Sequence, residues 1–172
     1  MFLFFKLLKW AVILVVVLAA AIGLTLWLFV FPSSDRPGEA QAVVVLSGGG
    51  RERLDRGLRL VGEGVAPVLV VYGGGTSLCA GGDAFEVVCP RARKDDRAEA
   101  RALAGLARKR GWRSLVVVTS TPDVSHARLV IERCFHAPTA FVAARPSAGA
   151  WAQVIPGAWR AYLDALLVVR KC

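Results

Sequence analysis

Residues 41–50 read QAVVVLSGGG, a short apolar run that ends in three consecutive glycines. Residues 67–75 read PVLVVYGGG and repeat the arrangement. Neither run alternates apolar with polar residues, which is typical of strands that are buried on both faces of a parallel sheet. The carboxyl ends of parallel strands meet at one edge of a sheet, where ligands bind in α/β folds. The two stretches therefore predict two buried strands that share one glycine-lined edge.

Further apolar runs and helical patterns continue this alternation along the chain. Four strands are predicted, at Gln41–Leu46, Pro67–Tyr72, Leu115–Thr119 and Thr139–Ala143. Apolar residues recur at helical spacing between these strands, over Arg51–Glu63, Arg97–Arg110 and Val124–Phe135. The order predicts an α/β, Rossmann-like three-layer domain with a mainly parallel sheet over residues 40–172. The last helical pattern, Pro156–Val169, is typical either of a closing helix or of one that lies against a membrane.

The N-terminal segment is apolar over a greater length. No charged residue occurs between Trp10 and Phe31, and about 20 such residues cross a bilayer core as a helix. The apolar part of a signal peptide is shorter, at roughly 7 to 15 residues, so we predict a transmembrane anchor in residues 1–31, with a cleaved signal peptide as the alternative. A polar linker follows at 32–39. Lys6 and Lys9 precede the span, which predicts a cytoplasmic N-terminus and an extracytoplasmic domain at a bacterial plasma membrane.

The overall composition excludes several classes of protein. Of 172 residues, 55% are hydrophobic and 20% are charged, which rules out a disordered chain. The net charge is +9, but the arginines are spread over several predicted helices. A solvated basic face that meets anionic lipid accounts for this charge more simply than a nucleic-acid partner does. We therefore predict the plasma membrane as a partner, and no nucleic acid.

The chain has four cysteines, which is an even number. Cys79 and Cys89 flank one glycine-rich loop, so a local disulfide is geometrically easy; Cys134 and Cys172 would then join the last helix to the preceding one. Three connectivities are open to four cysteines. Two disulfides would fit an oxidising compartment outside the membrane. No pair has the spacing of a zinc site, and we predict no metal site.

Both glycine-rich loops are candidates for ligand binding. In the first, glycine backbone amides, a helix N-terminus and two arginines suit an anion, and the alternative is a tight turn that needs glycine for its positive φ. The loop fits neither the dinucleotide fingerprint nor the P-loop pattern. The second loop opens a long connection that reaches Arg93, and loops of this length are often functional lids.

Two later loops add polar side chains. Asp96 and Glu99 fit a capping box with Asp96 as the N-cap, and the alternative is a carboxylate that binds a ligand or a metal. His126 begins the helix after the third strand and is a candidate general acid or base, or else a solvent-facing histidine. The catalytic candidates are Glu99, Asp123 and His126. The ligand-binding candidates are Gly48, Gly49, Gly50, Arg51, Arg53, Gly73, Gly74, Gly75, Thr119, Ser120 and Arg128.

This order of motifs resembles the YdcF/SanA/ElyC-like family, also called domain of unknown function 218. The matching motifs are VVVLSGGG at 43–50, VVYGGG at 70–75 and VVVTS at 116–120. Glu99 matches the family's Thr-x-x-Glu pattern, with Asp96 in the place of Thr. Asp123 stands where the family usually has His, and His126 stands where it usually has Arg.

The resemblance implies a role in the bacterial envelope, in peptidoglycan assembly or lipid-carrier metabolism. Our first hypothesis is accordingly a domain that binds or processes a phosphorylated envelope or lipid-carrier substrate. A second hypothesis is a catalytically inactive envelope-integrity factor, which the exchanges at Asp123 and His126 favour. A third is a binder of S-adenosylmethionine, which is scarce outside the cytoplasm. The sequence assigns no cofactor.

Overall fold

The computed structural model of the chain describes residues 2–48, 50–73, 77–80, 84–91, 95–147, 149, 151–168 and 171–172. Helix α1, Phe2–Thr25, continues into a π-helical turn at Leu26–Val30. The segment Phe4–Val30 is long and apolar enough to cross a membrane, and nearly all its side chains are exposed. The predicted apolar helix is therefore present at the N-terminus.

Five parallel strands form one sheet, which confirms the predicted α/β architecture with its parallel sheet. Four of these strands were predicted from the sequence. The strands are β1 (Ala42–Val45), β2 (Val68–Val71), β3 (Glu86–Val88), β4 (Leu115–Ser120) and β5 (Thr139–Ala144). Their spatial order is β3-β2-β1-β4-β5. The crossover and closing helices are α2 (Arg51–Gly62), α3 (Asp96–Arg110), α4 (Val124–Glu132) and α5 (Trp151–Leu167). Because β2 and β4 lie on opposite sides of β1, the chain reverses its direction across the sheet at the β1–β4 pair.

Alternate residues of each strand supply the two hydrophobic cores that make the fold three-layered. On β1, Val43 and Val45 face the core that α2 covers, where they meet Leu60. Val44 faces the opposite core, which contains apolar residues of α3, α4 and α5. Both faces of the sheet are thus covered, which explains why its strands lack polar alternation.

Two elements differ from the sequence prediction, an additional strand and the start of the last helix. Strand β3 lies inside the stretch that we expected to be one long loop; it has only three residues and begins with the exposed Glu86, so it leaves no apolar run in the sequence. Helix α5 begins at Trp151 and includes Pro156 in its second turn. The helical spacing of the apolar residues predicts a start at Pro156, so the first five residues of the helix were missed.

Four cysteines allow three connectivities, and the structure has the one with a local disulfide across the glycine-rich loop. Cys79 bonds to Cys89, beside β3, and Cys134 bonds to Cys172. The second disulfide joins the segment after α4 to the C-terminus of the chain. Both predicted pairs are therefore within bonding distance.

The polar segment between the apolar helix and β1 is fixed to the domain. The Asp35 N–H donates to the Phe141 carbonyl oxygen at 2.8 Å, and the Asp35 carboxylate accepts from the Phe141 N–H at 2.8 Å. The Ser34 hydroxyl accepts from the Ala143 N–H at 3.1 Å. The segment therefore runs along the outer edge of β5.

The end of the apolar helix also packs on the domain. Phe29 is fully buried, and its ring makes edge contacts with Trp159 and Tyr162, at centroid distances of 5.0 and 6.0 Å. The Ser125 hydroxyl donates to the Leu28 carbonyl oxygen at 2.7 Å. These contacts join the apolar helix directly to α4 and α5.

Candidate functional site

A cavity of about 210 Å³ lies at the carboxyl ends of β1 and β4, where the chain reverses its direction across the sheet. Ligands of doubly wound α/β domains bind at this position. The loops after both strands and the first turns of α3 and α4 supply its polar lining. These residues are Ser47, Arg53, Asp96, Glu99, Thr119, Asp123 and His126. We call this space the switch-point cavity.

Glu99 is a buried carboxylic acid on the wall of this cavity. It lies in the first turn of α3, and only 4% of the residue is exposed. Its carboxylate accepts hydrogen bonds from the Ser47 N–H, at 3.0 Å, and from the Ser47 hydroxyl. Burial raises the pKa of Glu99 above its ordinary value, although the bonds from Ser47 oppose this. Glu99 therefore keeps its proton to a higher pH than an exposed glutamic acid does.

His126 and Asp96 form a hydrogen-bonded pair across the α3–α4 contact. The His126 Nε2 lies 2.9 Å from the Asp96 carboxylate, which lowers the pKa of Asp96. Because an ionised carboxylate only accepts, Nε2 carries the proton in this pair. The other ring nitrogen, Nδ1, is buried and has no hydrogen-bond partner among the described residues. In the neutral ring Nδ1 is thus a free proton acceptor.

Arg53 holds the loops of the cavity together. Its side chain is 6% exposed; Nε donates to the Ser120 hydroxyl at 2.8 Å, and Nη1 donates to the Ser47 carbonyl oxygen at 2.6 Å. Nη2 pairs with the Asp123 carboxylate. Burial raises the pKa of Asp123, and Arg53 and His126 oppose this rise. The sequence predicts that the positive charge of Arg53 is available to a bound anion. In the structure its guanidinium is buried and already paired.

Of the eleven catalytic and ligand-binding candidates that the structure describes, six line this cavity. Gly48, Arg53, Glu99, Thr119, Asp123 and His126 line it, and Ser120 supports Arg53 from the end of β4. Arg51 is exposed at the start of α2. Gly50 donates its N–H to the Glu52 side chain at 3.2 Å. Gly73 lies two residues after β2, has a φ of 77° and does not line the cavity. Gly49, Gly74 and Gly75 lie outside the described residues.

Arg128, another ligand-binding candidate, does not line the switch-point cavity. Its guanidinium lies 2.8 Å from the Asp35 carboxylate and stacks over the Phe141 ring, 4.6 Å from the ring centroid. It also lies 3.6 Å from Glu132, one turn along α4. Residues 126 and 128 are two positions apart, and side chains at that spacing point to different faces of a helix.

Sequence reasoning assigned the wrong aspartate to the helix cap. The N-cap of α3 is Asp95, whose carboxylate accepts from the Ala98 N–H at 2.6 Å. Asp96 is the first helical residue and is free to meet His126. Two aspartates in succession before a helix were the available signal, since one suffices for the cap. Nothing in the sequence indicated that Ser47 would donate hydrogen bonds to Glu99.

A second cavity, of about 550 Å³, adjoins the first between α3, α4 and α5. Asp96 and His126 line both spaces, so the histidine pair stands at their junction. Arg97 and Arg101 add two guanidinium groups, and Asp164 faces them from α5. We call this space the outer cavity. No group of three His, Cys, Asp or Glu residues suited to a metal ion occurs among the described residues.

Comparisons of the chain with family models, with curated proteins and with solved structures give no match. The resemblance to the YdcF/SanA/ElyC-like family therefore depends only on the motifs quoted above.

Proposed function

We propose that this protein is a membrane-anchored bacterial envelope protein that binds and processes a phosphorylated, hydroxyl-bearing envelope precursor or lipid carrier. One observation carries the proposal. A buried acid with a raised pKa, Glu99, and a histidine whose Nδ1 has no partner among the described residues, His126, both line one cavity at the switch point of the sheet. A proton donor and a proton acceptor at such a position are the requirements of general acid–base catalysis.

The two cavities differ in charge, so each favours a different part of the ligand. Among the described residues, the switch-point cavity is lined by three carboxylic groups and by one guanidinium, that of Arg53, which is already paired. Carboxylates accept hydrogen bonds from hydroxyl groups, so this cavity suits an uncharged, hydroxylated part of the ligand.

The phosphate belongs in the outer cavity, beside Arg97 and Arg101. Of the carboxylates there, Asp95 already accepts from an amide of α3 and Asp96 from His126, so their charge is partly compensated. Asp164 remains opposite the two arginines and weakens the site for an anion. The phosphoester bond then lies next to His126. Nδ1 takes a proton from an attacking water, whose oxygen bonds to phosphorus, and Glu99 gives its proton to the leaving hydroxyl oxygen as the phosphoester bond breaks.

The apolar helix supports the membrane part of the proposal. It is long enough to span a bilayer, and it ends on the first turn of α4, one residue from His126. The two disulfides favour an oxidising, extracytoplasmic location for the domain. A reporter fused after Cys172 should be active only if it is of the extracytoplasmic type; activity of a cytoplasmic reporter would reverse the orientation.

A ligand panel tests the site. Thermal stability of the full chain in nanodiscs is followed with inorganic phosphate, a hexose, the corresponding hexose 1-phosphate, a short polyprenyl phosphate and S-adenosylmethionine. A ligand at 100 times its Kd adds about 2.7 kcal/mol to the free energy of unfolding. We expect the hexose 1-phosphate or the polyprenyl phosphate to stabilise most.

Matched variants distinguish the alternatives. Arg101→Gln should remove the shift that a phosphorylated ligand causes, Asp164→Asn should enlarge it, and Arg108→Gln, on the same helix but outside the cavity, should leave it unchanged. A flat response to the whole panel would favour the inactive envelope factor. A shift with S-adenosylmethionine alone would favour the cofactor binder.

A further inference from the structure

Helix α5 carries an apolar stripe that the domain leaves uncovered. Leu163 is 44% exposed and Leu167 is 64% exposed, and Leu166 is exposed beside them. These residues follow Trp159 at intervals of three and four, which places all four on one face of the helix. The opposite face is buried through Ala158 and Ala165. The helix therefore has two apolar sides. One is buried against the domain, and the other, this stripe, is turned away from it.

The position of Trp159 indicates what covers this stripe. The Trp159 indole N–H lies 3.2 Å from the Thr25 hydroxyl, and the Trp159 ring packs on Phe29. Thr25 lies inside the apolar segment that ends at Val30, roughly one helical turn from that end. If this segment spans a bilayer, a side chain in contact with Thr25 lies at the depth of the headgroups or below it. Tryptophan is enriched at this depth.

We propose that α5 lies on the surface of the same bilayer that α1 crosses, with Leu163, Leu166 and Leu167 inserted beside the lipid headgroups. Its stripe begins at the residue that touches the anchor, so the two membrane contacts are continuous. Arg160, exposed on the flank of the stripe, suits anionic headgroups, as basic residues do in interfacial amphipathic helices. This inference rests on the membrane anchoring proposed above.

The proposal has a consequence for the cavities. Ala161 lines both of them, and Asp164 lines the outer one, from the side of α5 that faces away from the stripe. A helix seated on the bilayer therefore separates the lipid surface from the outer cavity by its own thickness. A lipid-linked group reaches the cavity by passing along the edge of α5.

Photo-crosslinking in vesicles of phosphatidylethanolamine and phosphatidylglycerol tests the inference. The photoreactive residue p-benzoylphenylalanine is placed in the full chain at Leu163 or Leu167. Trp10, inside the apolar helix, is the positive control, and Arg59, exposed on α2 across the sheet, is the negative control. We expect a mass increase of one phospholipid at positions 163, 167 and 10, and none at position 59.

Each other outcome overturns the proposal in a different way. A lipid adduct at position 10 without one at 163 and 167 would refute the docking of α5 alone. Crosslinks from 163 and 167 to a second copy of the chain would assign the stripe to a protein interface instead. The lack of an adduct at position 10 would refute the membrane anchor itself, and with it this inference. A Leu163→Glu, Leu167→Glu double variant that carries the photoreactive residue at Leu166 should give no lipid adduct, whereas the same double variant with the photoreactive residue at Trp10 should still crosslink to lipid.

Discussion

Glu99 and Arg53 are charged side chains buried at the cavity, and their surroundings differ. Glu99 accepts hydrogen bonds from one residue, Ser47, whereas Arg53 donates to three elements of the fold. Removing the charge of Glu99 therefore relieves a desolvated group, while removing Arg53 leaves several acceptors without a donor. The two positions should respond in opposite directions.

Glu99→Gln should preserve the fold and abolish function. The amide can accept from the Ser47 N–H and donate to the Ser47 hydroxyl, as the protonated acid does. Because the pKa of Glu99 is raised in the folded state, its stabilising effect is complete below its ordinary value of 4.5 and is lost as the pH rises through the folded pKa. The variant is spared this loss, so the Tm of the variant minus the Tm of the wild type should increase as the pH rises from pH 4 towards the folded pKa. A Tm difference that stays constant over this range would contradict the raised pKa.

Arg53→Ala should destabilise the domain by about 3 kcal/mol, the lower end for a broken buried ion pair, because Asp123 is partly exposed. Chemical denaturation measures the loss, and Arg51→Ala, at the exposed start of α2, is the matched control. The double variant Arg53→Ala, Asp123→Ala should cost less than the sum of the single variants, because no unpaired charge remains. Strict additivity would argue against the pair.

The sequence located these residues but not their partners. Glu99, Asp123 and His126 could be assigned to one edge of the sheet because each follows a strand or begins a helix at that edge. The contacts between Asp96 and His126 and between Arg53 and Asp123 join residues 30 and 70 positions apart. Such contacts depend on how α2, α3 and α4 pack, which no local pattern encodes.

At the scale of the elements, Gly57 shows how closely α2 approaches the sheet. A Cβ atom at this position would lie 2.5 Å from Cγ2 of Val45 on β1. Gly105, in the middle of α3, has no atom within 4 Å of such a position. Helix propensity alone would favour alanine at both sites by about 1 kcal/mol.

Gly57→Ala should therefore destabilise the fold, because a steric cost of about 1 to 3 kcal/mol exceeds the gain in propensity. Gly105→Ala should stabilise it by up to about 1 kcal/mol. Denaturant midpoints of the two variants measure both effects. Stabilisation by Gly57→Ala would show that α2 can move away from the sheet without cost.

Element boundaries were the least predictable part of the fold. The buried strands were recognisable from valine runs, because they are covered on both faces. Strand β3 pairs at the sheet edge with only three residues, and its placement depends on β2 and on the Cys79–Cys89 disulfide. A short edge strand held in this way has no apolar signature of its own.

At the scale of the whole molecule, the two disulfides should contribute unequally. Cys134–Cys172 closes a loop of 38 residues, and Cys79–Cys89 closes one of 10. Loop entropy in the unfolded chain predicts losses of about 4 and about 3 kcal/mol when each pair is replaced by serine. Chemical denaturation of the two double-serine variants measures these losses. The reverse order would mean that the longer loop retains structure in the unfolded state.

The segment along β5 has a consequence for any form of the protein that lacks its apolar N-terminal helix. Ser34 and Asp35 occupy the outward hydrogen-bonding groups of Phe141 and Ala143. Without them, β5 would be an unpaired strand at the edge of a sheet, and such strands recruit strands from other chains. Proteolytic release after Asp35 would therefore produce a fragment that aggregates, whereas cleavage nearer the apolar helix would release a domain with its edge still protected.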